Sequence, residues 1–313
     1  MSYQSQISDM SPRERLAQRA TAVIGLLTLL SLGFTVWLGL FITPPDEFMG
    51  NLVRLVYVHP PIAWVMFIAY GVAFLSTLLY LWPRTRDLRF DRLAGASSEV
   101  GVVFTGLTLI SGSIWGRPTW GTWWTWDPLL TTTALLFVMY LGYLALRQLP
   151  GDPDARAKRS AIGGLIAFID VPIVYFAVLW WKSIHQAPTV LDPLTGKTYI
   201  HGSMAYTLLL GFVAFTLLFI YLVAKRYRLA GLKDRYESFL LGEAIEDRKR
   251  EAMPDLSGVY PDSVGNAGAI DVPGQKKRFS DPNVSVGYDA GLRPDQTDDY
   301  QKIGLQNNTG ADA

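Results

Sequence analysis

Residues 98–146 read SEVGVVFTGLTLISGSIWGRPTWGTWWTWDPLLTTTALLFVMYLGYLAL, two apolar runs on either side of a tryptophan-dense segment. Neither run, 98–115 or 129–146, contains a Lys or Arg. A helix rises about 1.5 Å per residue and needs about 20 residues to cross about 30 Å of hydrocarbon, so each run comes close to a membrane span. Working outward, runs of the same character lie at about 20–42, 60–81, 161–181 and 204–224, again without an internal Lys or Arg. The first is too long and too far from the N-terminus for a cleaved signal peptide, and reads as a span. The expected fold is an all-α integral membrane protein, a bundle of six transmembrane helices with an outward Trp-rich loop.

Composition agrees and narrows the chemistry. The 313 residues are 50% hydrophobic and only 18% charged, against about 25% in ordinary soluble domains. Mean hydropathy is +0.21 despite a polar final third. With 28 Lys+Arg against 27 Asp+Glu, the net charge of +1 provides no basic field for nucleic acid. Cysteine is absent, which excludes disulfides, thiolate metal sites, iron–sulfur clusters and covalent C-x-x-C-H haem attachment. Three histidines leave few possible members for any metal site.

Positive charge sets the orientation. One set of flanks carries Arg13, Arg15, Arg19, Arg84, Arg86, Arg89, Arg92, Arg147, Arg156, Lys158, Arg159 and a cluster from Lys225 to Arg235. The other carries only Arg54, Arg117, Lys182 and Lys197. Both termini are therefore expected in the cytoplasm, with loops 43–59, 116–128 and 182–203 outward. The chain divides into a cytoplasmic N-terminus (1–19), a six-span domain (20–224) with the tryptophan loop at 115–131, and a cytoplasmic tail (225–313). Residues 234–253 read as a short helix within that tail. The stretch beyond it, rich in Pro and Gly and poor in apolar periodicity, reads as disordered.

His59, His185 and His201 all fall at the outward boundary. His59 precedes Pro60-Pro61, and proline suits the first turn of a helix, so this histidine is expected to cap the second span. His185 follows Trp180-Trp181-Lys182; if the fifth helix runs on by a turn, Trp181 and His185 share a face. Neutral imidazole is the usual protein ligand for haem iron, and two histidines on different helices at equal depth can hold one iron between them. The plainer reading is three interfacial histidines bonded to headgroups or backbone.

The loop shifts that balance. Trp115, Trp120, Trp123, Trp124 and Trp126 place five of the chain's ten tryptophans in twelve residues, interleaved with Gly, Pro and Thr and closed by Asp127. An interfacial aromatic belt needs only one or two per helix end. A Gly/Pro-shaped loop of indoles makes an apolar platform for a large flat ligand, with Arg54 and Arg117 on the same side to meet its carboxylates or, alternatively, lipid phosphate. Asp170, central in the fifth span, is expected to face the bundle near the Pro172 break, most simply as a structural hydrogen-bonding group. Glu99 reads as an ordinary helix N-terminal charge.

The run WGRPTWGTWWTWDPLLT (Trp115–Thr131) resembles the WWD motif of the haem-handling proteins of cytochrome c maturation. RLVYVHPPIAW (Arg54–Trp64) and YFAVLWWKSIHQAPT (Tyr175–Thr189) resemble the two histidine regions of the CcmC family, and the similarity extends from about 20 to 224. It implies a haem-transfer subunit, not an enzyme, in the bacterial inner membrane. Haem b would be bound non-covalently at the outer face and passed on, with His59 and His185 as axial ligands and the loop against the porphyrin. It further implies delivery to a CcmE-like haem chaperone alongside CcmA, CcmB and CcmD-like subunits of an ABC complex. His201 matches neither family histidine. Two departures stand out: Leu129 occupies a place where the family commonly has Arg, and the tail after Lys225 exceeds that of short members. The competing readings are a haem lyase of the same superfamily, opposed by the small outward loops; a cytochrome b-type electron carrier, opposed by histidines lying outside the spans; and a solute transporter, for which Asp170 is the one intramembrane candidate.

Overall fold

In a computed structural model, residues 11–185 and 200–252 are described; the sequence from 253 onward, read above as disordered, lies outside them. Helix α1 (Pro12–Trp37) runs into a π-turn (Leu38–Ile42), and a 3₁₀ segment (Asn51–Tyr57) leads into α2 (His59–Leu81). Then follow α3 (Leu88–Trp120), α4 (Pro128–Gln148), α5 (Pro153–Phe168), α6 (Asp170–Trp180) and α7 (Gly202–Ala252). Among the described residues there is no β-strand, only a single bridge between Asp46 and Gly50. With α5 and α6 counted as one interrupted span, six helical segments are long and apolar enough to cross a membrane. The fold is an all-α six-helix bundle. The chain divides at Asp247 into two compact units, and of the second only the end of α7 is described.

Local chemistry sets the helix ends. Ser11 and Glu14 form a capping box ahead of Pro12, while Asp87, Asp127 and Asp152 cap α3, α4 and α5 with their carboxylates. The antiparallel pair α2–α3 makes the most extensive helix contact, with α4, α5 and α6 packed around it. At its centre Tyr70 and Tyr140 are fully buried and stack at 3.7 Å. The Thr105 hydroxyl donates to the Gly101 carbonyl, so it accepts from the Tyr70 hydroxyl at 2.7 Å. Hydrocarbon offers no other partner for such groups, and this relay satisfies both.

On α1 the buried residues are Thr21, Thr28 and Thr35, at heptad spacing. Each donates its hydroxyl to the carbonyl four residues back at 2.8 Å, leaving no polar cost on the buried stripe. Gly25 on the same stripe lets the Tyr221 ring of α7 approach to 2.8 Å of where a Cβ would stand, the small-residue packing usual between membrane helices.

Several expectations change. Helix α3 is not a short span: it starts at Leu88 and includes Trp115–Trp120, because no breaker precedes Gly121 except Pro118, which the helix accommodates. Glu99 is therefore inside α3, and it pairs with Arg226 of α7 instead of capping an N-terminus. The fifth span breaks at Ile169, three residues before Pro172, and Asp170 opens α6, buried, with Oδ2 lacking a hydrogen-bond partner. The structural hydrogen bond expected of Asp170 is thus not made by that oxygen. Residues 234–252 are not a separate short helix, since α7 continues from its apolar stretch without a breaker. Helix α6 ends at Trp180 and Trp181 is extended, so Trp181 and His185 do not share a helical face.

Candidate functional site

The tryptophan segment is half helix and half loop. Trp115, Arg117 and Trp120 ride on the last turns of α3, and Gly121 ends the helix at φ 78°, a left-handed conformation that suits glycine. The loop 122–127 then returns to Asp127 and Pro128 at the start of α4. Thr122 donates its hydroxyl to the Trp124 carbonyl at 3.0 Å, and Trp124 and Trp126 meet edge to face at 5.8 Å. Trp123 is 59% and Trp126 82% exposed, an unusual state for the largest apolar side chain.

The helix end of this segment holds both histidines. Trp115 packs edge-on to His59 at 5.7 Å, and five residues later Trp120 packs against His185 at 4.7 Å. Gly112, one turn before Trp115, leaves room for the His59 ring, whose Cε1 would stand 3.1 Å from a Cβ there.

Hydrogen bonding fixes the ring of His59. Its Nδ1 is 2.9 Å from Ser111 Oγ, and Ser111 spends its single proton on the Leu107 carbonyl at 2.7 Å. His59 Nδ1 must therefore be the donor, which leaves Nε2 with a free lone pair, the form that binds a metal.

His185 is held differently. Asp127, its side chain 3% exposed, faces His185 Nδ1 across 3.3 Å. The carboxylate accepts from Leu129 N–H (3.1 Å), Ser183 hydroxyl (3.0 Å) and Ile184 N–H (2.9 Å), and His185 N–H in turn donates to Ser183 Oγ at 3.0 Å. Burial pushes the Asp127 carboxyl upward, but these donors and His185 hold it below the usual carboxylate range. Burial pushes the His185 imidazole down against the pull of Asp127.

Among the described residues, six buried polar atoms without a hydrogen-bond partner lie at this end, Arg54 Nε, Tyr57 hydroxyl, Trp115 Nε1, Thr125 Oγ1, Thr131 Oγ1 and His185 Nδ1, while Ser98 Oγ, Arg156 Nε, Arg159 Nε, Ser160 Oγ and Asp170 Oδ2 lie elsewhere. Such groups are costly unless something is there to meet them. Arg54 lies in the last turn of the 3₁₀ segment, five residues before His59. Arg117 donates from Nη1 to the Gly121 carbonyl and is otherwise exposed. His201 is exposed just before α7. Leu129 packs against the hydrophobic core, so it provides no cation where the family commonly has Arg.

Ser111, Gly112 and Ser183 were not singled out in the sequence. Ser111 lies one turn before Trp115, a helical spacing that could have suggested a partner on the same face. Ser183 had no such signal, because its role depends on a contact with a residue 56 positions earlier.

A family model described as CcmC, heme exporter protein C, matches residues 5–240. The chain belongs to the CcmC family. It is 37% identical over 206 residues to a heme exporter protein C of Bradyrhizobium diazoefficiens, covering 65% of this chain and 76% of the relative. To the heme exporter protein C of Haemophilus influenzae it is 35% identical over 222 residues, 70% of this chain and 88% of the relative. A putative cytochrome c biosynthesis ccmC-like mitochondrial protein of Arabidopsis thaliana is 35% identical over 225 residues, covering 72% and 82%. Membership of the CcmC family implies haem handling for cytochrome c maturation in a multi-pass membrane protein.

Proposed function

We propose that this protein binds haem b non-covalently at the outward end of the bundle, between His59 and His185, and hands it to a CcmE-like haem chaperone. Haem is cargo here, held and passed on without turnover. The observation that carries the reading is the pairing of each histidine with a tryptophan of one helix end, Trp115 with His59 and Trp120 with His185. A flat macrocycle ligated from both sides needs two lone pairs at similar depth and apolar walls around them.

The remaining groups take supporting roles. Trp123, Trp124 and Trp126 offer exposed indole surface to the porphyrin and to the incoming chaperone. Arg54, with its unspent Nε, is the better-placed partner for a propionate, and Arg117 a second, since Leu129 supplies none. The buried polar atoms at this end fit a ligand that brings carboxylates and a metal, and so meet the requirements of haem.

In this reading both termini are cytoplasmic and the tryptophan end faces the periplasm of a bacterial inner membrane. Ion pairs that engage the basic flanks, Arg86–Asp154, Arg92–Asp234 and Arg226–Glu99, support a common cytoplasmic side for those segments. The protein acts with CcmA, CcmB and CcmD-like subunits, and energy for release comes from a partner ATPase, because this chain has no Walker A glycine loop.

An absorbance spectrum of the detergent-purified chain, as isolated and after dithionite, tests the proposal. A Soret band with the reduced bands of six-coordinate bis-histidine haem, altered in His59→Ala, is the expected result. A colourless protein that takes up no added haem overturns it.

A further inference from the structure

The two histidines are backed by unequal partners. Behind His59 stands a neutral serine hydroxyl, which can only accept one N–H. Behind His185 stands the Asp127 carboxylate, 3.3 Å from Nδ1 and almost wholly buried. A carboxylate behind a ligating imidazole fixes the tautomer and raises the basicity of the other nitrogen far more than a hydroxyl does.

Asp127 spends most of its acceptor capacity inside the protein, and its side chain is 3% exposed. Oδ1 takes the Ile184 N–H, and Oδ2 takes the Leu129 N–H and the Ser183 hydroxyl while facing His185. These contacts join the start of α4 to the segment after α6, so one carboxylate both places His185 and charges its far side. The 3.3 Å approach leaves His185 Nδ1 without a well-aligned hydrogen bond, and a metal held by Nε2 would favour the tautomer that donates from Nδ1 to Asp127.

We infer that Asp127 is a positioning residue for His185 and not a porphyrin contact, and that it makes His185 the stronger iron ligand, leaving His59 as the one released first when haem is passed on. The inference rests on the haem reading above, from which it can be separated by experiment.

The test uses the full-length chain in detergent, loaded with hemin, as wild type and as the variants Asp127→Asn, Ser111→Ala, His59→Ala and His185→Ala. Asparagine keeps an oxygen for the backbone donors while removing the charge. Two readouts are taken: the iron midpoint potential, and the rate of haem loss to excess apomyoglobin. Asp127→Asn is expected to weaken the preference for ferric iron about tenfold, a rise of about 59 mV for one electron, and to speed haem loss at least about tenfold. Ser111→Ala is expected to change haem loss by less than about threefold. Independently of how Asp127→Asn folds, His59→Ala is expected to hold hemin longer than His185→Ala.

Equal potentials in wild type and Asp127→Asn, equal shifts in Asp127→Asn and Ser111→Ala, or longer retention by His185→Ala each overturn the inference while leaving haem binding intact. A wild-type chain that binds no hemin overturns the haem reading itself.

Discussion

Arg147 of α4 grips Asp91 of α3 through both guanidinium arms, at 2.6 and 2.9 Å, at the end of the bundle opposite the tryptophans. Their side chains are 15% and 7% exposed, and Arg147 also donates to the Tyr143 hydroxyl at 3.3 Å. Gly95 makes the grip possible: a Cβ there would meet the guanidinium at 2.8 Å. The pair fastens α4 to the central α2–α3 layer far from the candidate site.

Removing one partner leaves the other charged and buried, which costs about 3–5 kcal/mol. Asp91→Ala is therefore expected to lower the Tm in detergent far more than Arg89→Ala, which breaks the surface pair with Asp87 at an Arg side chain that is 73% exposed. Equal melting curves for the two variants would remove Asp91 from the account of stability.

Gly101→Ala is expected to destabilise by about 1–3 kcal/mol, because its Cβ would stand 2.7 Å from the ring of the fully buried Tyr70. Gly142→Ala, with nothing within 4 Å of the new Cβ, is expected to be neutral or to stabilise by up to about 1 kcal/mol through helix propensity. Thermal melts of the two variants separate close packing from propensity.

Trp123→Ala combined with Trp124→Ala is expected to lower haem occupancy at normal membrane abundance, measured by pyridine haemochrome per milligram of protein. Unchanged occupancy would reduce these tryptophans to an interfacial belt.

His201→Ala is expected to leave the iron spectrum unaltered, since His201 is exposed outside the histidine–tryptophan pairs. His59→Ala and His185→Ala are each expected to change it. Equal effects from all three would break the axial assignment.

Acidification is expected to loosen the ligand-free tryptophan end. His185 has its pKa lowered by burial, so the unfolded chain takes up this proton first as pH falls below about 6.5. Stability from the neutral, buried ring is complete at higher pH and declines from that value downward until the folded group also protonates. Tryptophan fluorescence against pH should shift in that window in wild type and less in His185→Gln.

Particular residues show how far sequence reading reaches. The six apolar runs were legible because hydrocarbon admits only long stretches without charge, and Pro60-Pro61 does lie in the first turn of α2, but the cap is Val58 and His59, expected there, is already inside the helix. His59 and His185 were legible as candidates by depth, and the tryptophan cluster by density. The extent of α3 was not, because a proline usually argues against helix and here the chain continues through Pro118 to Gly121. Trp181 was paired with His185 on helical spacing, whereas the helix stops one residue earlier and Trp120, from another element, packs on that ring.

What the sequence determined by itself is the solvent-driven part of the design: membrane residence, the number of spans, the lack of thiolate chemistry and the short inventory of possible iron ligands. These follow from the transfer cost of each side chain and need no knowledge of neighbours. Tertiary structure decided the partners. That Ser111 backs His59, that Asp127 joins α4 to Ser183 and Ile184 behind His185, and that Leu129 turns into the core depend on contacts between helices far apart along the chain. Such contacts arise from how the helices pack in three dimensions, which spacing along one chain does not encode.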